Sequence, residues 1–380
     1  MFLNMFFFLF FLSFSYDEPK EIVVYKGGDY GSKYYRIPGI VVAHDNSLVV
    51  STDKRWKSPA DLPNVIDLLG RRSTDFGRTW SEPALLGGGG ADDGYGDGSL
   101  VVDRKSGVII CTFCGEGDFF NSTFDKPHHI FYVKSYDNGA TWTEKVDITS
   151  QLYGINCSHL ERKYWNSMFI TSGSSLQLRS GRIMAVAVVR KGHEKDGYSD
   201  YVVYTDDLGK TWDVGLMPAC DLGDESKMVE LNNGDILMTI RHKLFRYFAI
   251  SHDKGLTWDP YYEMRDIVDP GCNGEIKRYT STKDGYDKDR ILHTNLHHPT
   301  DRKNLTVRLS YDEGKTWPVQ KVLHSELAMY SSIAILPNGT IAVYYEKTLG
   351  PKDVDGFEMR LALFSLEWLT DGKDSYKPPK

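Results

Sequence analysis

Short apolar runs separated by clusters of Asn, Asp, Gly and Ser set the rhythm of this chain. Gly39–Val42 with Ser47–Ser51, Ser99–Val102 with Val108–Phe113, Arg182–Val189, Tyr201–Thr205, Asp235–Ile240 and Thr340–Tyr345 read as strands. Asn233-Gly234 and Asn338-Gly339 are turn dipeptides that lead into two of them. No long stretch carries a convincing helical period, so helices are expected to contribute little.

An eight-residue unit, Ser/Thr-x-Asp-x-Gly-x-Thr-Trp, is laid over this pattern five times: Ser73–Trp80, Ser135–Trp142, Thr205–Trp212, Ser251–Trp258 and Ser310–Trp317. Its Asp residues stand 62, 70, 46 and 59 positions apart, a period that suggests propeller blades or another array. Each unit makes sense locally. The Asp side chain bonds forward to backbone N–H groups, Gly supplies a left-handed position, and Trp covers the hairpin with an apolar face. The repeated Asp residues are therefore read as structural staples rather than catalysts. About 360 residues at ~60 per unit predict an all-β, six-bladed β-propeller in which one blade lacks the staple. The expected layout is a propeller over 16–370 and a flexible tail over 371–380.

Composition changes this picture little. Thirty-five glycines and 13% aromatics suit short strands and tight turns, and a net charge of −7 gives no electrostatic case for nucleic acid. The segment Met1–Ser15 holds an apolar run too short to span a bilayer, with Ser13 and Ser15 placed as a signal-peptide cleavage site requires. It lacks a basic start, so an uncleaved anchor stays open. Secretion, or a cell-surface or endolysosomal lumen location, is expected, with no stable membrane span in the mature chain. Sequons at Asn121, Asn156, Asn304 and Asn338 fit that route. Five cysteines are too few for a disulfide scaffold, leaving buried thiols or one disulfide. Cys111-x-x-Cys114 has no second pair, and His297-His298 read as loop residues, so neither a metal nor a cofactor is expected.

Chemistry enters with polar residues stranded among apolar ones. Arg36 in Tyr35-Arg-Ile-Pro38, Arg241 after Ile236–Ile240 and Arg308 in Leu305-Thr-Val-Arg308 each end or interrupt an apolar run. A buried Arg is costly unless paired, so each is either a salt-bridged strand residue or part of a convergent carboxylate cradle.

The YRIP segment, the five Asp boxes and the Arg-Leu-Ser before the last box strongly resemble the sialidase (neuraminidase) superfamily, from about Tyr34 to Glu346. The resemblance implies that Arg36, Arg241 and Arg308 hold a sialic acid carboxylate. It further implies Asp61 as acid/base, Tyr330 as nucleophile, Glu225 as its activating carboxylate and Glu346 as the group orienting Arg36. Arg55 is a candidate pocket arginine, and Asp97 matches a position that binds sugar hydroxyls or the amide. Trp165, Met168 and Phe169 line an acetyl pocket or pack the core. Thr171–Ser175 departs from the family's Gly-Pro-Gly motif, which leaves the pocket wall undefined.

The residue types suit the reaction. Sialic acid carries a carboxylate on its anomeric carbon, so a neutral Tyr avoids the repulsion an anionic nucleophile would meet. Tyr then needs a base within reach. The expected activity is a retaining exo-α-sialidase acting on sialylated glycoproteins, glycolipids and oligosaccharides. A trans-sialidase, an intramolecular variant and a non-catalytic Asp-box propeller are the alternatives. Oligomeric state and linkage preference are not legible.

Overall fold

Strands built from alternating and fully apolar runs must cover both faces, and the described residues do so by forming sheets that abut one another around one axis. A computed structural model describes residues 18–92, 94–192, 198–352 and 355–379. The Met1–Ser15 signal-peptide expectation lies outside the described residues.

The first sheet is Tyr34–Val42, Leu48–Arg55, Ile66–Ser73 and Ala84–Gly87, all antiparallel. A second is built on Tyr95–Val102, Ile109–Gly115 and His129–Ser135, a third on Ile183–Arg190 and Tyr198–Thr205, and a fourth on Ser226–Glu230, Ile236–Ile240, Lys243–Ser251 and Tyr262–Pro270. The last sheet has seven strands, because the 17-residue strand Val319–Ile335 pairs with Lys303–Ser310 through its first half and with Ile341–Thr348 through its second. The fold is all-β and propeller-like. Six separate sheets were expected and hydrogen bonding gives five among the described residues, since no break in pairing separates the two halves of that long strand. The N-terminal strand Lys20–Tyr25 joins the same sheet by pairing with Phe357–Phe364, which closes the ring.

All five Asp boxes adopt one geometry. In the first, Thr79 N and Oγ1 donate to Asp75 at 2.9 and 2.6 Å, and Gly77 N donates to Ser73 Oγ at 2.8 Å. Phe76 and Gly77 both take left-handed φ values, 61° and 81°. A Cβ at Gly77 would stand 2.6 Å from Leu361 Cδ2, and one at Gly139 would stand 2.7 Å from Val49 Cγ2. The boxes therefore do more than close hairpins: in four of the five, the glycine lets the turn press against the neighbouring sheet, while Gly209 packs on Trp212 of its own box.

The segment after Asp371, expected to be a flexible tail, is tied down instead. Asp374 is buried and accepts from Arg290 Nε at 2.7 Å and Nη2 at 2.9 Å, while Tyr376 packs on Tyr279 and donates to Pro337 O at 3.0 Å. Arg290 has no exposed surface, and a buried cation holds its partner in place. All five cysteines are free and buried. No helix among the described residues is long and apolar enough to cross a membrane.

Candidate functional site

The innermost strands begin at one rim of the axis and end at the other, and the two rims differ in chemistry. Val42, Val102, Glu230 and Ile335, at or near the far ends of these strands, border a cavity of about 490 Å³. Arg36, Asp97, Glu225 and Tyr330, at or near their starts, border a second cavity of about 220 Å³. The smaller one gathers the reactive side chains.

Three of these residues sit on strand irregularities. The pairing register shifts between Arg36 and Gly39, between Gly96 and Ser99, and between Ala328 and Ser331. Such bulges re-aim side chains at the ends of strands. Ile37, a β-branched residue, takes a φ of 64°, and Asp97 takes 60°. That conformation is costly for Ile and persists only where its surroundings enforce it. Glu346 supplies the enforcement: Oε1 accepts from Ile37 N at 2.6 Å, and Oε2 accepts from Arg36 Nη2 at 3.2 Å and Tyr330 N at 3.3 Å. One fully buried carboxylate thus ties Arg36 to the strand that carries Tyr330. The Arg36 guanidinium lies over the Tyr330 ring, 5.3 Å from its centroid.

Tyr330, Glu225 and Arg241 form the centre. Arg241 Nη1 donates to the Tyr330 hydroxyl at 3.0 Å and also to Glu225 Oε2, which brings the phenol and the carboxylate to one nitrogen. Arg241 Nε faces Asp224 Oδ2 at 3.3 Å and donates to Gly271 O at 2.9 Å. Burial pushes the Glu225 carboxyl upward against the pull of Arg241. Burial and the Glu225 carboxylate hold the Tyr330 phenol well above its ordinary value. The phenol therefore does not ionise by itself, and the carboxylate beside it is a strengthened base.

Asp61 stands across the cavity on a loop after Leu48–Arg55, its side chain 74% exposed. Arg55 Nη1 meets Asp61 Oδ1 at 2.7 Å and Arg36 Nη1 lies 3.7 Å from the same oxygen. Enclosure in the cavity would raise Asp61, but Arg55 and Arg36 outweigh it and hold the carboxyl below its ordinary value. Arg55 does not border the cavity. It is buried behind Asp61 and also pairs with Asp53 at 3.2 Å. Asp97 does border it, and accepts a contact from Cys114 Sγ at 3.5 Å. Burial drives both Asp53 and Asp97 upward, and each carboxylate raises the other or is raised by Asp61.

Arg308 is not brought to this site. It lies within Lys303–Ser310 and does not border the cavity. Its guanidinium is spent on Asn295 Oδ1 at 3.2 Å, Gln320 Oε1 at 2.5 Å and His297 Nδ1 at 2.7 Å. Burial lowers it to about 10. Among the described residues, the arginines that border the cavity are Arg36, Arg241 and Arg302. Arg302 immediately precedes Lys303–Ser310, in the polar stretch Pro299-Thr-Asp-Arg302, so a search for Arg in apolar runs passes over it. Arg241 likewise borders a strand end, directly after Ile236–Ile240, and position at a strand end was the usable signal.

Other expectations divide. Phe169 borders the cavity, whereas Trp165 and Met168 pack in the core. Thr171–Ser175 forms no part of its wall, and Ser174 and Ser175 border the larger cavity instead. His297 and His298 bond to Arg308 and to the Thr300–Asp301 backbone. Leu62, Asp224, Phe119, Phe120 and Tyr198 also border the cavity and were not singled out from the sequence. His128 borders it too, and from the sequence it is weighed only, with His129, as a metal partner of Cys111-x-x-Cys114.

Comparison with known proteins places this geometry. The BNR repeat-like domain matches residues 119–343. A sialidase of Micromonospora viridifaciens is 32% identical over 362 residues, covering 90% of this chain and 53% of that protein, so the chain spans about half the length of this relative. A sialidase of Clostridium perfringens is 27% identical, covering 70% of this chain and 72% of its own. Among solved structures, the Hadza microbial sialidase Hz136 superposes with a TM-score of 0.81 at 23% identity, over 92% of this chain and 69% of its own. The leech intramolecular trans-sialidase, complexed with 2,7-anhydro-Neu5Ac, superposes at 0.76 with 16% identity, over 93% of this chain and 71% of its own.

Proposed function

Because the chain belongs to the sialidase superfamily of BNR-repeat glycoside hydrolases, we propose that it is a retaining exo-α-sialidase that releases terminal sialic acid from glycoproteins, glycolipids and oligosaccharides. Arg36, Arg241 and Arg302 hold the substrate carboxylate, and Glu346 orients Arg36. The Tyr330 oxygen attacks the anomeric carbon while Glu225 takes the phenolic proton. The glycosidic bond breaks as Asp61 protonates the leaving oxygen. In the second displacement Asp61 takes a proton from water, the water oxygen attacks the anomeric carbon, and the tyrosyl oxygen leaves with the proton Glu225 returns. Two inversions give net retention.

The observation that carries this reading is the sharing of Arg241 Nη1 between Tyr330 and Glu225 in a buried cavity edged by two more arginines. Purified protein should cleave a fluorogenic sialoside, and Tyr330→Phe should abolish turnover. A fluorinated sialic acid should leave an adduct on Tyr330 by intact mass. An inactive wild type would overturn the reading, and a fully active Tyr330→Phe would displace the nucleophile. Product analysis separates free sialic acid from a transfer or anhydro product.

The same reading counts six blades, with the seven-stranded sheet divided at Ala328 of its long strand. The change of pairing partner there, from Lys303–Ser310 to Ile341–Thr348, supports the division. It also takes the chain through a secretory route, for which cleavage after Ser15 predicts Tyr16 as the mature N-terminus by N-terminal sequencing.

A further inference from the structure

One buried group bordering the cavity has no work in the reaction described above. His128 is 2% exposed, and neither ring nitrogen has a hydrogen-bond partner. Burial lowers the imidazole to about 4, against the nearby Asp118, so it is neutral, with one donor and one acceptor nitrogen. Buried polar atoms are ordinarily paired, and two left unpaired on one ring at a cavity wall mark a place prepared for a ligand.

The wall around it is rigid. Phe119 meets Phe169 and Tyr198 edge to face, with ring centroids 5.0 and 4.9 Å apart. Arg190 donates to Phe119 O at 3.1 Å and to Ser122 O, and Asp118 Oδ1 accepts from Phe120 N at 2.9 Å and Asn121 N at 2.8 Å. The Tyr153 hydroxyl donates to the His128 backbone oxygen. Backbone and neighbours are held while the imidazole itself stays uncommitted. Phe169 and Tyr198 come from the third sheet and His128 directly precedes His129–Ser135 of the second, whereas Arg36, Arg241 and Arg302 belong to the first, fourth and last. This wall is therefore built from sheets other than those associated with the three cations.

We propose that His128 is a specificity-determining residue that hydrogen-bonds a hydroxyl on the side of the sugar remote from its carboxylate. The proposal rests on the sialidase reading. A hydroxyl both donates and accepts, so it matches either tautomer of a neutral imidazole. An ionic group would be poorly solvated against Phe119 and Phe169. Two parts of a sialic acid carry such a hydroxyl: a hydroxylated N-acyl group, and the glycerol side chain.

The test compares kcat/KM on three fluorogenic sialosides: N-acetyl, N-glycolyl, and N-acetyl with a truncated glycerol chain. Wild type should favour the hydroxyl-bearing member of one pair by about 10-fold, the usual scale for one hydrogen bond to a prepared site. The N-glycolyl/N-acetyl pair identifies the acyl hydroxyl, and the intact/truncated pair the glycerol hydroxyls. His128→Phe should erase that preference while changing the less-favoured substrate by no more than about 2-fold, and His128→Gln should keep part of it. An equal loss on all three substrates would make His128 merely structural and overturn the proposal. Wild type without preference in either pair would overturn it too, whether or not His128→Phe folds. Wild type inactive on all three would instead sink the sialidase reading.

Discussion

Arg241 presents one nitrogen, Nη1, to both the Tyr330 hydroxyl at 3.0 Å and the Glu225 carboxylate. In the proposed mechanism the guanidinium stabilises the charge that builds as the phenol gives up its proton to Glu225. A lysine keeps the charge and loses the fork. Arg241→Lys is expected to lower kcat/KM by ~10²–10³-fold, the range seen when one preorganised charge donor is removed. Steady-state kinetics on a sialoside checks it, with the melting temperature near wild type.

Arg302 and Arg308 separate binding from packing. Arg302→Ala removes a cation at the cavity and should cut kcat/KM by about 10²-fold with little change in stability. Arg308→Ala leaves buried Asn295 without its donor, and should cost ~1–3 kcal/mol of stability while leaving activity of the folded enzyme near wild type. Paired kinetics and urea titrations on the two variants decide this. The reverse pattern would return Arg308 to the site.

The pH profile should reveal a crossed pair of carboxyls. Glu225 is held above its ordinary value and Asp61 below, so in the free enzyme the base binds its proton more tightly than the acid. The competent form, with ionised Glu225 and protonated Asp61, is the minor singly protonated species, and kcat/KM traces a bell with Asp61 on the acid limb and Glu225 on the alkaline limb. Removing the Arg55 cation takes away a charge that favours ionised Asp61, so Arg55→Met should move the acid limb upward. An unmoved acid limb would mean that Asp61 does not set it.

Truncation after Gly372 tests the anchored C-terminal segment. Asp374 is held well below its ordinary value chiefly by Arg290, with burial opposing, so its stabilising effect is present at neutral pH and fades as pH falls through its folded value. Losing it leaves Asp287 as the one carboxylate still paired with Arg290 among the described residues, beside the Thr280 hydroxyl. The truncated protein should be ~2–4 kcal/mol less stable by denaturant unfolding at neutral pH, and a flexible tail would have cost nothing.

The repeat made the architecture legible because its Asp, Gly and Trp act within eight residues, and local bonds such as Thr79 to Asp75 repeat wherever the letters do. Arg36, Glu225, Arg241 and Tyr330 were legible because the motifs around them resemble a known family. Arg302 was missed because its role comes from its place at the start of a strand, and the polar residues around it look like any turn. His128 was hidden for a different reason. Nothing in the letters around it tells that the ring is enclosed and unpartnered; only the folded packing shows that. The anchored segment escaped because Arg290 and Asp374 are 84 residues apart, and nothing local links them.

Closure of the ring has a consequence for how the molecule comes into being. Lys20–Tyr25 pairs with Phe357–Phe364, and Arg36 meets Glu346 across 310 residues of chain. On the ribosome Lys20–Tyr25 must wait, its edge unpaired, until Phe357–Phe364 has emerged. Arg36 lacks the carboxylate of Glu346 until that residue too has been made. A chain terminated before Glu346 therefore carries Arg36 without the carboxylate that fixes its guanidinium.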